Sequence, residues 1–214
     1  MEDRSTKDIM SLYMEGVLNG HSSENVYQFC KRNEIEENEF YQEYSSFEHL
    51  KTTIYSKFVS ETVRLISESE DYASLSTREQ LLSFYYTFFE LLTANRTYVV
   101  LTLKENKEKL DTLKSLNGLR TEFKKYIETL SIDKMGIPQE LLNSFKDKAI
   151  GEVAVLQLVF TLKFWLNDTS SGFEKTDSLI EKSVKASFEI VDSLPSESIF
   201  DLGKFLFKEK FGSL

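Results

Sequence analysis

Apolar residues recur at helical spacing along most of the chain. Over residues 7–18, Ile9, Met10, Leu12, Tyr13, Met14, Val17 and Leu18 lie three and four apart, and Asn19-Gly20 supplies a stop. Ser23 reads as the N-cap of a short helix through Arg32, with Val26, Phe29 and Cys30 on its inner face. Asn33-Glu34 breaks this pattern, and a second short helix over about 36–42 sets Phe40 and Tyr41 beside the first. Ser45 with Glu48 reads as a capping box opening a long helix over about 47–68, in which Leu50, Ile54, Phe58, Val63, Leu65 and Ile66 keep the period.

Beyond it, Ser76-Thr77 opens a helix carrying Leu81, Leu82, Phe84, Tyr85, Phe88, Phe89, Leu91 and Leu92. These are apolar most of the way round, which predicts burial on more than one side. Residues 97–116 start hydrophobic and turn charged after Lys104, 120–130 is amphipathic, and Gly136-Ile137-Pro138 marks a break with Pro138 at a first helical position. A helix over 138–167, bent near Gly151, a loop over 168–172, a helix over 173–194 and a last one opened by Pro195 complete the pattern. No segment reads as a strand or a repeat, so the predicted fold is all-α.

Composition narrows this picture. Only two prolines and eight glycines punctuate 214 residues, as expected of a chain spent mostly in regular structure. Cys30 is the sole cysteine, so no internal disulfide forms, and its inner-face position predicts a small buried hydrophobe. The first residues lack a basic-then-apolar leader, which predicts a cytoplasmic protein. The apolar stretch over 149–166 is broken by Gly151, Glu152, Gln157 and Lys163, which argues against a membrane span.

Candidate chemistry is sparse. His21 and His49 have no partner at metal-ligand spacing, and exposed or capping roles are expected of them. No nucleophile elbow, glycine-rich phosphate loop or paired-histidine motif is present, so neither an enzyme nor a metal or cofactor site is predicted.

Two short helices followed by a long one carry a more specific pattern over 25–55. Phe29 and Cys30 stand at an apolar and a small position, Ile35 follows the turn, Phe40 and Tyr41 end a short helix, and Tyr44, Ser46, Glu48 and Leu50 lead into the long one. This segment resembles the helix-turn-helix signature of the TetR (tetracycline-repressor) family. The stretch from Phe164-Trp165 to Lys185, with Phe173-Glu174-Lys175-Thr176-Asp177, looks like the C-terminal domain of a divergent branch of TetR-like proteins of the kind seen in Bacteroidetes-type bacteria. The resemblance implies a helix-turn-helix domain over 1–56 and a ligand-binding and dimerisation domain over 57–214. It implies a dimeric, ligand-responsive regulator of transcription.

On that basis double-stranded DNA is the expected partner of Lys31, Arg32, Glu37, Asn38, Tyr41, Gln42 and Lys51. An unidentified apolar small molecule is expected at Tyr85, Tyr86, Phe89, Tyr98, Phe164 and Trp165, where aromatic walls carry polar tips. A second copy of the chain is expected at Phe188, Ile190 and Val191, as the family's four-helix contact implies. One departure bears on the DNA partner. Where a typical member has Gly, Ser, a basic residue and Thr around the recognition helix, 34–43 holds five glutamates and no lysine or arginine. The net charge of the chain is −9, and such a surface is repelled by phosphates rather than drawn to them. Glutamates in a first turn also serve the helix dipole, and Glu accepts from cytosine N4 in a major groove. A second reading therefore stands beside the first, in which the fold has lost DNA binding and serves as a ligand- or protein-partner-binding module. For Phe40, Tyr41 and Tyr44 a core role is expected over a base-stacking one.

Overall fold

The computed structural model describes residues 8–22, 24–103, 109–130 and 148–193. Among these the regular elements are all helical, as the periodicity predicts. They are α1 (Ile9–Leu18), α2 (Val26–Asn33), α3 (Glu37–Glu43), α4 (Phe47–Ser67), α5 (Thr77–Ala94), α6 (Arg96–Leu103), α7 (Lys109–Thr129), α8 (Lys148–Asn167) and α9 (Glu174–Ser193). Short 3-10 turns lie at Tyr72–Ser74 and Ser171–Phe173. The expected break at Pro138 and the expected last helix after Pro195 lie outside the described residues.

The chain divides into two compact units, one from Met1–Ser60 with Glu90–Thr121, the other from Glu61–Phe89 with Glu122–Leu214. In the first, the backbone starts and stops are locally determined. The Asp8 carboxylate accepts the Met10 N–H at 3.1 Å to open α1, and Gly20, at φ 84°, takes the left-handed turn that follows. The expected cap of α2 at Ser23 is displaced. Asn25 takes that role, its side chain accepting the Gln28 N–H at 2.9 Å while Gln28 Oε1 accepts the Asn25 N–H at 3.1 Å. An amide satisfies the pair as well as a carboxylate would, because both orphan donors need only an acceptor.

The start of α4 is corrected in the same way. Ser46 Oγ accepts the His49 N–H at 3.1 Å, and His49 Nδ1 accepts the Ser45 N–H at 3.3 Å. The cap is thus Ser46, one residue later than expected, and the His49 imidazole takes the Ser45 N–H that Glu48 was expected to take. The other histidine, His21, is exposed and pairs with Glu24 at 3.1 Å.

The interior of this unit is aromatic. Phe29, Ile35, Phe40 and Leu50 are all buried, as the predicted stacking of two short helices on a long one requires. Phe47 meets the rings of Tyr13, Phe29 and Phe40 at 5.1–5.5 Å, within the range where edge-to-face aromatic pairs gain energy beyond burial. Tyr44 is buried as expected, but Tyr41 is 51 % exposed, because a seven-residue helix has only one inward stripe and Phe40 fills it. Cys30 is buried as expected. Gly118 marks a close crossing: a Cβ there would fall on the Thr52 carbonyl oxygen of α4, so only glycine lets the two backbones meet.

The second unit has its own core. Phe84, Phe88, Phe123, Leu158, Ile180 and Val184 have no measurable exposure, and Gln157 joins α8 to α9 by hydrogen bonds with Ser183 and Ser187, each 3.1 Å. Residues 109–129, expected in two pieces, form the single helix α7. Gly151 lies buried within α8 against Lys124, and Glu152 forms an ion pair with Lys124. The turn into α9 is held by Asp168, which is buried. Its carboxylate accepts from Ser170 N and Oγ at 2.9 and 2.6 Å and from Thr176 N and Oγ1 at 2.9 and 2.7 Å.

Candidate functional site

Two places carry candidate chemistry, one in each unit. The first is the outer face of α2 and α3. Glu34 closes α2 in the left-handed conformation at φ 56°, at the turn position where the resemblance leads one to expect glycine. Its N–H and that of Ile35 return to the end of α2, the Ile35 bond reaching the Cys30 carbonyl at 3.0 Å. This orients α3, whose only buried residue is Phe40. Glu37, Asn38, Glu39, Gln42 and Glu43 are therefore exposed together with Tyr41.

The basic flank of this face is thin. Arg32 Nε bonds both carboxylate oxygens of Glu24 at 3.1 and 3.2 Å, and its guanidinium lies 5.7 Å from the Phe29 ring centre. Lys31 lies along the exposed Tyr27 ring, 5.9 Å from its centre. Lys51, on α4, is half-buried. The negative field of α3 is felt inside the unit: burial first, then Glu37, Glu36 and Glu39, push the Cys30 thiol up. A thiol so placed is held protonated and unreactive.

The second place is the aromatic interior of the other unit. Tyr85 lies fully buried, stacked nearly parallel to Phe89 (9° between rings). Phe89 meets Trp165 at 6.0 Å, and Trp165 meets Phe173 at 5.9 Å. On another side Phe84 stacks on Phe88 and on Tyr126, the latter at 4.6 Å. Tyr126 donates to the Gln80 carbonyl at 2.9 Å and lies 3.0 Å from the Tyr72 hydroxyl. Because a hydroxyl has one proton, Tyr72 must be the donor of the second bond. Burial pushes the Tyr126 phenol up, and the Tyr72 contact adds to it.

The residues expected to hold a ligand divide accordingly. Tyr85, Phe89 and Trp165 form one wall. Tyr86 points outward, 37 % exposed, and burial, Glu181 and Asp177 raise its phenol. Phe164 lines a different feature, an open groove of about 460 Å³ shared with Phe160, Lys163, Asn167, Asp168, Thr169 and Lys175. Tyr98 belongs to the first unit, where it is buried near Tyr13 and Tyr55. Phe188 is half-buried on α9, and the side chains of Ile190 and Val191 lie outside the described residues.

The pattern missed Tyr72, Gln80 and Tyr126, whose hydroxyl relay joins positions 54 and 46 residues apart in sequence. No local signal links them. The Asp168 cap was legible in principle, since Asp-Thr-Ser before a helix is a start signal. Among the described residues no group of acids, histidines and cysteine is arranged to hold a metal.

These features define a class: an all-helical chain with a helix-turn-helix near its start and a second helical unit with a charge-poor aromatic interior. The family model described as the tetracyclin repressor-like C-terminal domain matches residues 80–206, more than half of the chain. The protein belongs to the TetR family, whose members are regulators rather than enzymes. A search of curated proteins gives no match. None of the helices, among the described residues, is long and apolar enough to cross a membrane.

Proposed function

We propose that this protein is a dimeric transcriptional regulator of the cytoplasm, in which residues 57–214 bind an apolar small molecule and residues 1–56 contact DNA in response. The observation that carries this reading is α4, a single helix of 21 residues that supplies side chains to both units. A ligand that binds one arrangement of the second unit better than another shifts the population of arrangements, and a shared helix transmits that shift to the reader. Lys31, Glu37, Asn38, Tyr41 and Gln42 would face the duplex, with Arg32 and Lys51 at the phosphates.

Dimerisation has its own support. Val153, Leu156, Phe160 and Phe164 are 54, 63, 57 and 37 % exposed along one side of α8. Spacings of three and four make this a continuous apolar stripe, and solvent-facing stripes of this kind mark subunit contacts. With Phe188, Ile190 and Val191 on α9, it supplies a helical seam for a second copy. Sedimentation of the Leu156→Glu/Phe160→Glu variant tests this, a monomer being expected.

The DNA contact is tested by selecting random duplexes at low salt and then titrating salt. Operator binding must enrich a common sequence and weaken with salt in proportion to the phosphates contacted. A second reading is favoured by one observation, the α3 face with its glutamates and with Arg32 held by Glu24. Under it the N-terminal unit contacts a protein. Failure to enrich any duplex would decide for it and leave the ligand site in place.

A further inference from the structure

Within the aromatic interior of the second unit, the hydroxyl of Tyr85 differs from its neighbours. Tyr72 donates to Tyr126, Tyr126 donates to the Gln80 carbonyl, and Gln80 Nε2 donates to the Tyr72 carbonyl at 3.1 Å. Each of these donors is spent. Among the described residues Tyr85 Oη is buried and meets no hydrogen-bond partner, although its side chain is among the largest in the fully buried core. Phenylalanine would fill the same space without leaving a buried donor unmade, an omission that proteins rarely tolerate.

The surroundings define what would satisfy it. Phe84, Phe89 and Phe123 present their rings to Tyr85, and Phe89 continues to Trp165. Burial pushes the Tyr85 phenol up. The hydroxyl therefore keeps its proton and can donate it. An ionised ligand set among these rings would carry the cost of a buried charge.

We infer that the small molecule sensed by the second unit is neutral, flat and apolar with one hydrogen-bond acceptor, a carbonyl-bearing aromatic compound whose oxygen accepts the Tyr85 hydroxyl. This rests on the proposal that the unit binds a ligand, and it narrows the expected set to Tyr85, Phe89 and Trp165.

Two isosteric probes test it. 2-Acetylnaphthalene carries a ketone, and 2-isopropenylnaphthalene replaces its C=O by C=CH2. Binding to the full chain is read by quenching of the single tryptophan, Trp165, and by thermal shift. The ketone should bind the native protein about tenfold tighter than the hydrocarbon, the discrimination expected of one buried hydrogen bond at the upper end of its net range. In Tyr85→Phe the ratio should fall to near one, with the affinity for the hydrocarbon unchanged. Without probe, Tyr85→Phe should melt no lower than the native chain.

Equal binding of both probes to the native protein, or a ratio that Tyr85→Phe leaves intact, would overturn the inference and leave the pocket standing. A Tyr85→Phe variant that melts several degrees lower would show the hydroxyl already engaged, by a buried water for example, and overturn it too. Binding of neither probe would overturn both the inference and the proposed pocket.

Discussion

The outer face of α2 and α3 and the interior around Tyr85 solve opposite problems. The first is crowded with charge, with Glu36, Glu37, Glu39 and Glu43 exposed over the cap and the two turns of α3, and its geometry is set by backbone caps beneath it. The second surrounds its central tyrosine with rings, and its geometry is set by ring contacts and a short chain of hydroxyls. On a surface, charge is cheap and tunable, so the face can change partner without changing fold. In an interior each polar group must be answered, so a single unanswered hydroxyl carries more meaning than five solvated carboxylates.

The largest expected effect comes from breaking the interior. Phe84 is fully buried and meets Tyr85, Phe88, Phe123 and Tyr126. Phe84→Ala should cost about 3–5 kcal/mol, as large-to-small aromatic changes in cores do. Urea unfolding followed by Trp165 emission checks this. A loss below about 1 kcal/mol would mean that the rings are not a packed wall.

The next test acts on the face. Glu36 offers no side-chain cap to α3, so Glu36→Lys/Glu39→Lys reverses two charges with little structural cost beyond the helix dipole. If this face meets a duplex, two new phosphate contacts steepen the slope of log K against log salt by about 1.8, or roughly 60-fold tighter binding at 0.1 M salt. Fluorescence anisotropy with a random duplex reads the slope. An unchanged slope would turn α3 away from DNA and toward the protein-partner reading.

Asp168 stands between the two regions in kind, a carboxylate inside the aromatic unit but fully answered. Burial pushes its pKa up, yet the bonds from Ser170 and Thr176 outweigh this and hold it below the ordinary carboxylate value. Its folded value is depressed, so the capping contribution is complete above the unfolded pKa of about 3.9 and fades as acid approaches the folded one. Asp168→Ala should cost about 1–2 kcal/mol at neutral pH. Measured in steps from pH 7 to pH 2, the gap between variant and native stability should stay constant to about pH 4 and then narrow. A gap that widens in acid would contradict the sign.

How much of this was legible follows from the range of each signal. The order of helices and the core positions Phe29, Ile35, Phe40 and Leu50 rest on spacings of three to ten residues, which periodicity reads directly. Caps were legible as to kind but not as to residue, since Asn25 with Gln28 and Ser46 with His49 serve as well as Ser23, Ser45 and Glu48 would have. For the proposed ligand site, the sequence nominated tyrosines because their hydroxyls need partners. It had no means of telling that Tyr98 belongs to another unit, that Tyr86 faces water, or that Tyr126 is already spent while Tyr85 is not. Those distinctions depend on residues such as Tyr72 and Gln80 meeting Tyr126 across the fold.

The smallest expected effect tests the joint that orients the charged face. Glu34 sits at φ 56°, where an L-residue with a Cβ is disfavoured by about 1–2 kcal/mol and glycine is not. Glycine also loses more freedom on folding, which returns part of that gain. Glu34→Gly should therefore stabilise the N-terminal unit by about 0.5–1 kcal/mol, read as a higher urea midpoint by circular dichroism. It also removes one of the five glutamates, so part of any gain could come from relieved repulsion. Glu34→Gln separates the causes, for it removes the charge and keeps the strained backbone. If Gln stabilises as much as Gly, the electrostatics of the face rather than the turn geometry set the stability of this joint, and the separation drawn between backbone-determined shape and freely tunable charge is lost.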